Sequence, residues 1–306
     1  MTRPVLLDVD TGCDDAVMLA MALASDAVEV VGVTTVAGNA TLPDTTRNTL
    51  SVLEALGRPD VPVVPGCDRP LVAPAETAEA IHGDGGLPGE RPDPGIDHRD
   101  GDAVSFMRER SRAIEDLTLV ATGPLTNVAA ALAVDPGLAE RLGALRVMGG
   151  AVRAGGNATP AAEYNFYADP EAAARVVRDG RPSVVGLDVT RQATLPPATI
   201  EALADREEPL RTIAGWLAYA TPETIIRDGL DRGRPLHDPL VLVDVLADVL
   251  AYEPAALAVD HGGGISRGAL LRDERPDAPA PNAEFAVDVD VGAFRETTLD
   301  LLESLS

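Results

Sequence analysis

The stretch PVLLDVDTGCDDAVMLAMALA, residues 4–24, sets four carboxylates, Asp8, Asp10, Asp14 and Asp15, between two apolar runs. The first run, 4–9, has the composition of a buried strand, and 14–24 has that of a buried helix. Negative charge concentrated at such a junction opposes folding through desolvation and like-charge repulsion. A positive group therefore belongs there. Further out, the same alternation recurs. Strand-like runs fall at 4–9, 28–36, 61–64, 117–122, 144–149 and 183–189, and helix-like runs at 14–24, 43–57, 101–113, 124–134 and 169–179. Proline and Asp-Pro steps mark several helix starts, at Pro43, Pro124 and Asp169-Pro170.

Near-continuous apolar strands alternating with helices predict an α/β fold. Its centre is a mostly parallel sheet with helices on both faces, a Rossmann-like open sheet. The segments 252–258, 264–271 and 283–289 read as extra strands near the C-terminus, followed by a closing helix. The stretch 66–100, rich in Pro, Gly and Asp, reads as a long loop, the kind that usually carries function. Without repeats or a low-complexity linker, 1–306 is expected to form a single domain. In open α/β sheets ligands bind beyond the carboxyl ends of the strands. The acidic cluster stands at such an end, as do Asn39, Thr122 and the Met148-Gly149-Gly150 step.

Composition narrows the function. At 306 residues and 45% hydrophobic content the chain has ample material for a core. A net charge of −24 argues against non-specific binding to nucleic acid or anionic membranes. All 25 basic residues are arginine, a bias that fits a GC-rich genome or a salt-loaded cytoplasm. The longest apolar run, Ala16 to Ala24, is too short for a bilayer, which takes ~20 residues. The N-terminus lacks a signal-peptide layout, so a cytoplasmic location is expected. Two cysteines, Cys13 and Cys67, make neither a disulfide framework nor a cysteine zinc site.

Three chemistries could use the opening carboxylates. Asp14 and Asp15 could simply favour the positive N-terminus of the next helix, which leaves Asp8 and Asp10 without a role. A D-x-D strand end is similar to that of haloacid-dehalogenase-type phosphohydrolases, which use an aspartate nucleophile and Mg²⁺. Here, however, Thr-Gly stands where those enzymes have Gly-Thr. The third reading is a hard divalent cation held by oxygen, with Ca²⁺ favoured by a flexible carboxylate-rich donor set.

DVDTGCDDA (8–16) resembles the D-T-D-P-G-x-D-D-A signature of the inosine-uridine preferring nucleoside hydrolases. Further segments follow in that family's order: TTVAGNAT (34–41), IHGDGGLPG (81–89), ATGPLTNVA (121–129), VMGGAV (147–152), GNATPAAEYNFYADPEAA (156–173) and LHDPL (236–240). The resemblance implies a ribonucleoside hydrolase that releases free base and ribose through an oxocarbenium-like transition state. It further implies Ca²⁺ ligated by Asp10, Asp15, Asp238 and the Thr122 carbonyl, with Asp14 as general base and Asp8 behind the ligands. The ribose would be held by Asn39, Asn157, Glu163, Asn165 and Asp238, with Met148 as a wall. His237 would hand a proton to the leaving base, and His82 would lie beside the substrate. A homo-oligomer, dimer or tetramer, is expected on the same ground. Segment 221–235 lacks the aromatics that often contact the base, and Arg227 is its most conspicuous residue. A non-catalytic protein binding Ca²⁺ or a nucleoside is the alternative; Asp14 and His237 speak against it, since binding alone needs neither base nor acid.

Overall fold

Seven of the eight strands in the central sheet run parallel, in the order β3-β2-β1-β4-β5-β6-β12-β9. The computed structural model describes residues 2–88, 94–219 and 233–305. The strands are β1 (Arg3–Val9), β2 (Val28–Thr35), β3 (Val63–Pro65), β4 (Thr118–Ala121), β5 (Ala144–Met148) and β6 (Ser183–Val185), then β7 (Thr194–Leu195), β8 (Arg234–Pro235), β9 (Leu250–Ala255), β10 (Leu257–Val259), β11 (Leu270–Arg272) and β12 (Ala283–Val289). Only β9 lies antiparallel, at the edge against β12. Two small antiparallel pairs, β7–β8 and β10–β11, stand apart from the sheet.

Both faces of the sheet are covered. Along β1, Val5, Leu7 and Val9 join the core that holds the helices Cys13–Ala24, Leu210–Ala218, His237–Ala247 and Val291–Glu303. Leu6 faces the opposite core, with the helices Ala103–Ala113, Thr126–Val134 and Pro170–Asp179. This two-sided burial explains why the strands read as continuous apolar runs. Among the described residues, no helix is long and apolar enough to cross a membrane.

Several boundaries differ from the sequence expectations. The run 183–189 is a strand only as far as Val185; Gly186 then opens a short helix, Leu187–Thr190. A β-branched run looks strand-like wherever it lies, and here tertiary context overrode propensity. The expected strand 264–271 is mostly loop, with only Leu270 and Leu271 inside β11, and Gly268 takes φ +85° there. The expected strand 252–258 divides into β9 and β10 around Ala256. Within 66–100 lie the helix Glu79–His82 and a 3₁₀ turn at Asp84–Gly86. The helices Pro197–Ala204, Leu210–Ala218 and His237–Ala247 had no counterpart among the sequence assignments.

The strand order reverses direction at β1 and β4: successive strands build outward through β2 and β3 on one side and through β5 and β6 on the other. Loops leaving the carboxyl ends of β1 and β4 part there and open a crevice.

Candidate active site

The opening carboxylates occupy that crevice. Asp10 follows β1, and Asp14 and Asp15 sit in the first turn of the helix Cys13–Ala24. From the far end of the chain, the helix His237–Ala247 packs against this helix and brings Asp238 in its own first turn. Two helix N-termini thus meet at one point, and each favours nearby negative charge. All four carboxylates are buried, Asp15 completely.

Neighbouring loops supply fixed donors. The Asn39 N–H donates to Asp10 Oδ2 at 2.7 Å. Asp15 accepts from the Gly12 N–H at 3.0 Å and from the Thr122 hydroxyl at 2.8 Å. The Asn165 amide donates to the Thr122 carbonyl at 2.6 Å and to that of Met148 at 3.2 Å. Behind the cluster, Asp8 accepts from Thr34 Oγ1 at 2.7 Å and from Asn127 Nδ2 at 2.8 Å. The expected helix-start role therefore holds for Asp15, which satisfies the Gly12 N–H. It does not account for Asp10, whose Oδ1 is buried with no hydrogen-bond partner.

These donors do not offset burial. Asp8 is pushed up to about 7 and Asp15 to about 6, burial being the main cause in each. Asp10 is held well above the usual carboxylate range by burial and then by the charge of Asp15. Asp238 rises for the same first reason, with Asp15, Asp14 and Asp10 adding repulsion. A buried cluster whose members raise one another in this way calls for a cation. The donor chemistry fits a hard one: acidic oxygens, an uncommitted Asp10 oxygen and a backbone carbonyl at Thr122. Among the described residues no three acidic, histidine or cysteine side chains stand in ligand geometry as they lie, so the fit rests on the kind and burial of the donors. Cys13 is packed, and burial lifts its thiol to about 12.

A cleft of about 80 Å³ opens over the cluster. Asp10, Asp14 and Asp238 line it, together with Asn39, Thr122, Met148, Asn157, Asn165 and His237. Nine of the residues singled out from sequence therefore face one space. Ala78 and Ile81, from the long 66–100 segment, form part of its wall. Asp15 and Glu163 stand behind the lining. The Glu163 carboxylate accepts from the N–H groups of Gly150 and Asn165, at 2.9 and 3.0 Å, and so braces the loop that carries Asn165. Asn157 Oδ1 accepts from the Tyr164 N–H at 2.9 Å. His82 closes the helix Glu79–His82, but its side chain lies outside the described residues, as does all of Arg227. His98 and His261 are exposed, away from the cleft.

His237 is oriented from two sides. Its Nδ1 lies 2.7 Å from the Thr190 hydroxyl, and its N–H donates to Asp14 Oδ2 at 3.2 Å. The helix Leu187–Thr190 also clamps the loop bearing Asn157. Asp188 accepts from the N–H groups of Val152 and Arg153, and Arg191, just beyond the helix, donates to the Ala154 and Gly156 carbonyls. Five lining residues were not named from the sequence, Ala78, Ile81, Tyr164, Arg234 and Pro235, and two of them, Tyr164 and Arg234, carry polar groups. The Tyr164 hydroxyl donates to the carbonyls of Gly38, at 2.6 Å, and of Glu76, tying the Asn39 loop to the wall segment. Arg234 Nη2 lies 3.6 Å from Asp14 Oδ1. Tyr164 sits inside a quoted motif, and only its ring size hinted at a contact role. Arg234 carried no local signal, because its partner lies at the other end of the chain.

Comparison with known proteins agrees with this geometry. The sequence model of the inosine-uridine preferring nucleoside hydrolases matches residues 5–296. A pyrimidine-specific ribonucleoside hydrolase RihA from Klebsiella pneumoniae is 39% identical over 99% of this chain and 97% of its own length. The RihA of Salmonella typhi is 38% identical over 99% of both chains. Among solved structures, a purine-preferring ribonucleoside hydrolase from Gardnerella vaginalis superposes with a TM-score of 0.92 at 30% identity, covering 99% of each chain. A plant nucleoside hydrolase reaches 0.90 at 29% identity, with the same coverage. With the signature segments in order, the sheet reversing at the acidic crevice and relatives matching from end to end, the chain belongs to the inosine-uridine preferring nucleoside hydrolase family and is a nucleoside hydrolase.

Proposed function

We propose that this protein hydrolyses the N-glycosidic bond of ribonucleosides with the aid of Ca²⁺, and that pyrimidine ribonucleosides are its preferred substrates. The carrying observation is a cluster of four buried carboxylates, three of them lining one cleft and Asp15 behind it, with an unpartnered oxygen on Asp10. The preference for pyrimidines rests on the names of the 38–39% identical relatives. All of 1–306 is taken as one catalytic domain.

Asp10, Asp15, Asp238 and the Thr122 carbonyl would hold the ion. Bound there, Ca²⁺ would neutralise the cluster and acidify a water for attack. Asn39, Asn157, Asn165 and Asp238 suit the ribose hydroxyls, which both donate and accept. Met148 walls the sugar, and Glu163 fixes the loop bearing Asn165. As the glycosidic bond stretches, positive charge builds on the ribose, and the surrounding carboxylates favour it. His237, its ring oriented by Thr190, gives a proton to the departing base.

Asp14 is the first candidate for the base that takes the proton from water. A specific observation favours a second assignment. Both Asp14 oxygens already face donors, the Arg234 guanidinium and the His237 N–H, whereas Asp10 Oδ1 has no partner. In that reading Asp10 takes the proton and Asp14 grips a ribose hydroxyl. Comparing Asp10→Asn with Asp14→Asn separates them. Loss of kcat with KM kept marks the base, and a raised KM marks the sugar anchor.

The test of the reaction is release of reducing sugar from uridine, cytidine, inosine, adenosine and guanosine in the presence of Ca²⁺. Ribose from uridine and cytidine ahead of the purines supports the proposal. Binding of nucleosides without any ribose release would favour the non-catalytic alternative. A homo-oligomeric cytoplasmic enzyme with a high-salt optimum belongs to the same proposal; size-exclusion chromatography and the same assay in multimolar salt test the oligomer and the salt response.

A further inference from the structure

Arg234 is the only guanidinium among the described residues that line the cleft. The antiparallel β7–β8 pair presents it, through the register Leu195 to Arg234. Its side chain is 11% exposed. At 3.6 Å its approach to Asp14 is an ion pair beyond hydrogen-bond distance, and its guanidinium forms no hydrogen bond with any described residue. A guanidinium carries five N–H donors in a fixed planar fork and stays charged. The guanidinium faces the cleft with donors beyond its ion pair to Asp14, so an acceptor arriving with the substrate can take them.

Position in the reaction decides which part of the substrate that is. Positive charge grows on the ribose as the bond breaks, so a cation beside C1′ would oppose the reaction. Negative charge grows on the departing base, where the same cation helps. Arg234 also shares Asp14 with the main chain of His237, so it stands beside the residue assigned to the leaving base.

We propose that Arg234 is a catalytic residue that donates to the O2 carbonyl of a departing pyrimidine and stabilises it as an anion. The inference rests on the ribonucleoside reading of the cleft. The C1′–N1 bond breaks with its electron pair going to N1, delocalised onto O2. The water oxygen bonds to C1′, its proton passes to a carboxylate of the cluster, and the base anion is then protonated from His237 or solvent. Arg234 transfers no proton. It lowers the energy of the anion, and it makes the site suit bases that carry an oxygen beside the glycosidic nitrogen.

The experiment compares wild type, Arg234→Ala and Arg234→Lys on uridine, 5-fluorouridine and 4-nitrophenyl β-D-riboside, with uridine 5′-monophosphate as a further substrate. The expected result is a fall in kcat of ~10²–10³ for Arg234→Ala on uridine, the usual cost of removing one such donor. The fall is smaller on 5-fluorouridine, whose base is the better leaving group, and under about threefold on the nitrophenyl riboside, whose phenolate needs no help. Arg234→Lys recovers part of the loss on uridine. An equal loss on all three ribosides would mean that Arg234 only supports the fold, and would overturn the proposal. So would a defect confined to the monophosphate, which would make Arg234 a phosphate contact. If the wild type cleaves the nitrophenyl riboside but no nucleoside, the ribonucleoside reading fails and this inference with it.

Discussion

Replacing Gly38 by alanine tests the placement of Asp10 from a residue with no chemistry of its own. A Cβ built on Gly38 falls 2.1 Å from Asp10 Oδ2 and 2.7 Å from Pro124 Cδ, where real Cβ contacts stay beyond 3.0 Å. Relief therefore takes a shift of about 0.9 Å in the Asp10 carboxylate or in the loop that carries Asn39. The carboxylate is itself held by the Asn39 N–H at 2.7 Å, so the two cannot move independently. Overpacking of this kind costs about 1–3 kcal/mol, a loss of several degrees in Tm. A misplacement near 1 Å at a catalytic carboxylate costs ~10²-fold in rate. Ribose release and thermal unfolding on the same preparation read both quantities, and near-UV circular dichroism shows whether the packed core survives. The expected variant is folded, several degrees less stable and about a hundredfold slower. Wild-type rate and Tm together would refute the reasoning, because they would mean that Asp10 does not pack against Gly38.

Gly215 is the matched control: it is exposed within the helix Leu210–Ala218 and a Cβ there meets nothing within 4 Å, so Gly215→Ala should add about 0.5–1 kcal/mol of stability and leave activity unchanged. Thr190→Val removes the hydroxyl against His237 Nδ1, and the loss of one hydrogen bond worth about 0.5–1.5 kcal/mol should lower kcat roughly threefold to tenfold with little change in KM. Burial raises Asp8 to about 7 and Asp15 to about 6 from 3.8, so between those limits the folded chain binds more protons than the unfolded one. Stability of the chelated protein should then fall as pH rises from about 4 to 7, and Ca²⁺ should raise Tm more at pH 7.5 than at pH 5; a flat profile in scanning calorimetry would count against a cluster of raised carboxylates.

Much of this arrangement was legible in the sequence because it rests on local rules. Continuous apolar runs gave β1 to β5 with boundaries displaced by a residue or two, since a strand buried on both faces leaves that pattern. The ends of these strands located the crevice through Asp10, Asn39, Thr122 and Met148. What escaped depended on distant partners. Residues 187–190 form a helix because Gly186 turns the chain, and their polar side chains then reach the Asn157 loop and His237. The Gly-rich run 262–268 has a strand's hydropathy at its end but a turn's backbone at Gly268. Glu163 was expected as a sugar ligand from the family resemblance, and the fold adds that its carboxylate also braces backbone amides, a use that composition does not reveal. Arg234 passed unnoticed beside Arg227, because its ion-pair partner Asp14 lies near the other end of the chain and the two meet only in the fold.

The central claim is that the buried carboxylates form a Ca²⁺-dependent hydrolytic site, and ribose release by chelated enzyme tests it most directly. Protein stripped of divalent ions would be assayed on uridine while Ca²⁺ is returned in steps, alongside Asp238→Asn. The account expects near-zero release without the ion, recovery that saturates as Ca²⁺ is added, and a variant that needs far more Ca²⁺ for the same rate. Full release from the stripped wild type, unchanged by added Ca²⁺, would contradict it.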